Sequence, residues 1–320
     1  MFDFRYHALS LAAVLLALAV GVVIGVAIGD SDLVSSAKSG IVHDLKEEVR
    51  GEQQHAAQLS AKLSGEETFA NDLYPIAVHG LLSGQSIGLV FLGSPSNSVN
   101  SLVRDAVTQA GGDLATVVAV REPLDLSGLG RAAEGTRYAA LAAVTPSAAA
   151  AGEGAGESTS TSAPAAEVPS QLIEGFGTIV AKQLVSGGQN LERELISRVR
   201  GRLLTAFDGQ LGKLQGVVIV RDDPTAQTSE QSRASAAFET GLVSGLGAVG
   251  TPIVGAELSS TEPSQIPWYQ GKDISSVDDL DATAGQAALI YALAGSHGAY
   301  GTKSTADSLL PNVVGGSPAP

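Results

Sequence analysis

With 320 residues and 44% hydrophobic content, the chain can form one sizeable core plus accessory segments. Its 33 acidic against 19 basic residues leave a formal net charge of −14, which argues against nucleic acid as a partner and against docking on anionic lipid headgroups. Cysteine is absent and methionine occurs once, at Met1, so neither disulfide staples nor thiolate chemistry can operate.

The chain opens with seven residues, 1–7, read as a short cytoplasmic N-terminus. Residues 8–29, ALSLAAVLLALAVGVVIGVAIG, carry no charge. A helix of that length crosses a hydrocarbon core of about 30 Å. Arg5 and His7 precede the run and Asp30 and Asp32 follow it. The excess of basic residues marks the cytoplasmic flank, so the expected protein is single-pass, with its body extracytoplasmic. The alternative is a cleaved signal sequence that releases the body to the outer envelope, since Ala27 and Gly29 supply small residues before Asp30.

Residues 30–82 read as a coiled-coil stalk. Val42, Leu45, Val49, Ala56, Leu59, Leu63, Ala70, Leu73 and Ala77 occupy the a and d positions of one heptad register, and Glu52 and Glu66 interrupt it. The two glutamates, with Gly51 and Gly65 beside them, make this a weak seam. Pro75 lacks a backbone donor and is expected to end or kink the helix, giving a span from about 32 to 74. The seam over 42–77 serves self-association or a helical envelope partner. The alternative is an amphipathic helix packed on its own domain.

Residues 83–310 read as a small doubly wound α/β domain. Contiguous apolar runs at 87–92, 115–120, 138–144, 217–220 and 253–255 suit strands covered on both faces. Helical patterns at 98–110, 171–185, 191–207 and 230–246 separate several of them, which implies a parallel sheet with right-handed crossovers. Residues 147–167 contain only Ala, Gly, Ser, Thr, Pro and Glu and read as a disordered insertion. Residues 311–320 read as a flexible tail.

Chemistry-bearing patterns are sparse. Gly93-Ser94-Pro95-Ser96 follows a strand and opens a helix, a place where α/β folds bind anions, but a plain turn with a serine cap uses the same residues. Asp222-Asp223-Pro224 ends another strand. The histidines are His7, His43, His55, His79 and His297, with no pair at metal-ligand spacing. His297, flanked by glycines and Tyr300, is the weak candidate for a metal ligand. No nucleophile–base pair is evident, so the expectation is a protein without enzymatic activity, catalytic residues or a bound cofactor.

Two stretches carry a resemblance. One is Phe4-Arg5-Tyr6-His7-Ala8-Leu9-Ser10-Leu11 running into Ala17-Leu18-Ala19-Val20-Gly21-Val22-Val23-Ile24-Gly25. The other is Ile274-Ser275-Ser276-Val277-Asp278-Asp279-Leu280-Asp281, followed by Gly285-Gln286, Gly298-Ala299-Tyr300-Gly301 and Leu309-Leu310-Pro311. Together they resemble the actinobacterial copper transport protein B (MctB) family, nearly end to end. The resemblance implies copper transport or homeostasis in the cell envelope, including an outer-membrane channel role, with copper as a transported or sensed ion. It carries over no ligand set, because these motifs are Gly, Ser, Asp and Tyr, whereas Cu(I) favours thiolate and thioether donors. Nor do the contiguous apolar runs match the alternating ten-residue strands of a membrane barrel. A second reading is a non-catalytic scaffold that recruits or regulates cell-wall or division proteins through the seam.

Overall fold

The computed structural model describes residues 4–28, 31–125, 170–187, 197–198, 200–209, 212–222 and 228–312. The chain divides into two compact units, Met1–Thr68 and Phe69–Pro320.

The first unit is helical. Helix α1 spans Phe4–Ile28, and within it Tyr6–Ala27 is long and apolar enough to cross a membrane. Every described side chain from Tyr6 to Ala27 is exposed, the opposite of a soluble core helix. Helix α2 spans Ser31–Val78, about 72 Å at the α-helical rise. It passes through Pro75 and ends three residues later, where sequence had placed the break at the proline. The missing donor at Pro75 removes one i→i−4 bond, and the helix continues for only three residues beyond it. From Leu45 to Phe69 its side chains are exposed.

The second unit is built on a seven-stranded sheet. Its strands are β1 (Ser86–Leu92), β2 (Asp113–Val120), β3 (Leu204–Gly209), β4 (Gly216–Arg221), β5 (Ile253–Ala256), β6 (Ser275–Val277) and β7 (Ala299–Tyr300), in the order β3-β2-β1-β4-β5-β6-β7. All neighbours are parallel except β2 and β3. The expected parallel sheet is therefore present, with one antiparallel edge.

The contiguous apolar runs are explained by two covered faces. In β1, Val90 and Leu92 enter one core while Leu89 and Phe91 enter the other. In β4, Val217 and Ile219 face the first core and Val218 the second. Helices α4 (Ser170–Ser186) and α5 (Ser229–Gly247) cover the first face with Phe176, Val180, Phe238 and Leu242. Helices α3 (Asn97–Gln109) and α7 (Thr283–Leu293) cover the second. The end of α2 joins them there through buried Tyr74 and Val78, and the Tyr291 hydroxyl donates to the Ala77 carbonyl at 3.0 Å. A short helix, α6 (Ile266–Gln270), lies between β5 and β6.

Helices α4 and α5 approach closely because glycine lines their crossing. A Cβ at Gly241 would collide with the Glu174 carbonyl oxygen, and one at Gly177 with the Phe238 carbonyl oxygen. The Thr178 hydroxyl spans the contact, 3.1 Å from the carbonyl oxygens of both Glu174 and Gly241.

Where 191–207 reads as one helix, residues 200–203 are helical but Leu204–Gly209 is strand β3. Pairing with β2, from Val118↔Phe207 to Val120↔Leu204, overrides the local helical pattern. Strands β6 and β7 and helix α7 went unread, because the strands are three and two residues long and α7 is apolar nearly all round. The run at 138–144 and the insertion at 147–167 lie outside the described residues, as do residues 313–320 of the tail.

Candidate functional site

In open α/β sheets ligands collect outside the carboxyl ends of the strands, above all where the strand order reverses. Here the reversal falls between β1 and β4. The Gly93 turn leaves β1 with φ of 115°, and a Cβ there would press on the Asp222 Cβ at 2.8 Å. Backbone bonds tie the neighbouring turns together, Gly93 N–H to the Val120 carbonyl at 3.1 Å and Asp222 N–H to the Leu92 carbonyl at 3.0 Å. Ser96 caps α3 through the Val99 N–H. The Gly93–Ser96 motif thus folds as a tight turn and cap, next to acidic Asp222, which disfavours an anion.

Beside this turn, Arg221 ends β4 in a buried polar network. Its Nε donates to Glu239 Oε1 at 2.9 Å and its Nη1 to Gln265 Oε1 at 2.5 Å. Its backbone N–H donates to the Tyr269 hydroxyl at 2.9 Å, and its guanidinium lies 5.2 Å from the Trp268 ring centroid. Glu239 projects from α5 and is 1% exposed. Burial, followed by the negative charge of Glu239 and a hydrogen bond with it, pushes the Glu122 carboxyl well above the usual carboxylate range. Glu122 therefore retains its proton at pH values where isolated carboxylates have lost theirs.

The next carboxylates along the edge belong to β5 and β6. Glu257 accepts from Lys303 Nζ at 2.6 Å, from Ser264 Oγ at 2.7 Å and from the Gln265 N–H at 2.6 Å. Asp278 accepts the backbone N–H groups of Thr302 and Lys303 at 2.8 and 3.1 Å, held close by the absence of a side chain at Gly301. Asp281 accepts the N–H and hydroxyl of Ser259 at 2.7 and 2.6 Å. Asp279 is 1% exposed and neither carboxylate oxygen has a partner. Burial, then the charges of Asp278 and Asp281, raise its pKa to about 6.

The two halves of the C-terminal pattern noted in sequence meet here. Ser276 pairs with Ala299 and Val277 with Tyr300, so Asp278–Asp281 and Gly298–Gly301 form one cluster at the carboxyl edge. Leu309 and Leu310 are exposed beyond it.

His297 lies at the opposite, amino-terminal edge, in a cleft of about 490 Å³ whose walls include Lys272, Asp273, Ser275 and Ser296. Its Nδ1 is 3.3 Å from Ser275 Oγ and its Nε2 is 3.5 Å from Asp273 Oδ1. The order of groups mimics a catalytic triad, but the chemistry does not follow. Ser275 is buried, its hydroxyl donating to the Ser296 carbonyl at 3.3 Å and accepting the Gly298 N–H at 3.4 Å. Asp273 is 98% exposed and cannot hold the imidazole in a water-excluded geometry. As a metal site, His297 gains Asp273 as a neighbour, yet among the described residues no three His, Cys, Asp or Glu side chains are placed to hold an ion.

Sequence reading singled out Asp222 but passed over Arg221, Glu239, Glu122, Glu257 and Lys303. One signal was available, a glutamate at 239 within the apolar stretch around Phe238 and Leu242. An ionisable group on a core face requires a partner. Its partner, 18 residues away, could only be supplied by the fold.

The comparisons with known proteins complete this picture. The family model described as "Copper transport outer membrane protein, MctB" matches residues 1–311. Proteins named "Copper transporter MctB" from Mycobacterium bovis (strain ATCC BAA-935 / AF2122/97) and from two Mycobacterium tuberculosis strains, CDC 1551 / Oshkosh and ATCC 25618 / H37Rv, are each 27% identical over 326 aligned residues. The alignment covers 94% of this chain and 96% of each of theirs. The family model takes in both the apolar helix and the carboxyl-edge cluster, and the chain belongs to the MctB family.

Proposed function

We propose that the chain is a single-pass envelope protein that acts in copper transport or homeostasis, with its N-terminus cytoplasmic and its α/β body extracytoplasmic. The observation that carries the reading is the family match over 1–311, supported by relatives named copper transporters and by the exposed apolar helix Tyr6–Ala27. Copper is the cargo or the signal, not a resident cofactor. With no cysteine and no methionine beyond Met1, the body offers Cu(I) none of the soft donors it favours. Its contribution to copper handling is therefore position and partnership rather than ligation, and it is not catalytic. The relatives' names give no support to a scaffold for cell-wall or division proteins.

The test is a strain lacking the protein. Cell-associated copper and copper tolerance should change, and the full chain should restore them while a chain lacking residues 1–29 should not. An alkaline phosphatase fused after residue 320 should be active. Unchanged copper levels would overturn the function, and an inactive fusion the orientation.

A further inference from the structure

From Leu45 to Phe69, the described side chains of helix α2 are exposed. A helix of this length is held in water by packing an apolar stripe, since propensity alone is marginal. The stripe exists, with Leu45, Val49, Leu59 and Leu63 between 46% and 60% exposed and Ala56 completing the register. The flanks bear on what covers it. In this register Lys62 is a g position and Glu67 the e position of the following heptad. That spacing brings Lys62 of one helix to Glu67 of a parallel, in-register copy, twice per pair by symmetry. Lys62 also lies 3.9 Å from Glu66 of its own helix, which tempers the charge of a d-position glutamate.

We propose that α2 pairs in parallel and in register with α2 of a second copy along Leu45, Val49, Ala56, Leu59 and Leu63. The orientation rests on the membrane reading above: two copies anchored through α1 in one bilayer have their α2 helices starting at the same end. Anchoring also confines the copies, and that raised effective concentration offsets the cost of facing glutamates at positions 52 and 66. These glutamates keep the pair weak, so it forms on the membrane more readily than in dilute solution.

The chain has no native cysteine, so single cysteines report the geometry directly. Leu59→Cys and Leu63→Cys, in the full chain in native membranes under a mild oxidant, should give a disulfide-linked band at twice the chain mass. Ala57→Cys and Ala61→Cys, on the outer face of the same turns, should not. Glu66→Leu, combined with Leu59→Cys, should raise the linked fraction, because it replaces facing carboxylates with apolar contact. Equal linking around the helix, no linking at either seam position, or a seam adduct only to a different protein would overturn the proposal. Fractionation of the same cells separates the two readings. If the chain is found outside the membrane yet still links at 59 and 63, the anchor fails and the pairing stands.

Discussion

Arg221 and Glu239 meet at 2.9 Å with their side chains 14% and 1% exposed, joining the end of β4 to the middle of α5. A charge this buried is tolerated only while its partner remains, and removing one member of such a pair costs about 3–5 kcal/mol. Arg221→Met should destabilise the α/β unit on that scale, because it strands Glu239 beside Glu122. Glu239→Gln, which keeps an oxygen acceptor for Arg221, should cost less. The chain's single tryptophan, Trp268, stacks near Arg221, so urea unfolding followed by its fluorescence reads both variants at the site.

The α4–α5 crossing makes a separate prediction. At Gly241 an added methyl group meets the Glu174 carbonyl oxygen, a backbone atom that cannot rotate away. Gly241→Ala should force the helices apart and cost about 1–3 kcal/mol, although alanine is the better helix former. A variant as stable as the parent in urea titration would show that the helices are not in close contact.

Asp279 supplies a pH dependence with a definite sign. Its carboxyl titrates near 3.8 when unperturbed and near 6 in the fold, so the folded chain binds more protons than the unfolded chain between those values. Stability should fall as pH rises across that window. Asp279→Asn removes this contribution, and the variant should lose less stability than the parent between about pH 4 and pH 6. Unfolding midpoints at several pH values, compared between the two proteins, provide the measurement.

Copper binding should be weak. In a competition titration against a Cu(I) chelator, the full chain in detergent should bind no more tightly than about micromolar, and His297→Ala should leave the curve unchanged. Tighter stoichiometric binding that disappears in His297→Ala would make the His297 cleft a direct copper site.

Much of this protein was legible in its sequence because the signals are local. The uncharged run at 8–29 specifies a helix long and apolar enough to cross a membrane. The heptad spacing from Leu45 to Leu63 specifies one helix with one apolar side. The contiguous runs at 87–92, 115–120, 217–220 and 253–255 specify buried strands, since an apolar residue at every position requires cover on both faces. Other features depend on contacts between residues far apart in the chain. Leu204–Gly209 became an antiparallel strand through pairing with β2, and Ser275–Val277 and Ala299–Tyr300 are too short to declare themselves without each other. The carboxyl-edge network was illegible for the same reason. Arg221 with Glu239, Glu257 with Lys303, and Asp278 with the Thr302 and Lys303 amides are charges that become tolerable in a core only when folding brings their partners within hydrogen-bond reach, and that pairing is decided by tertiary structure.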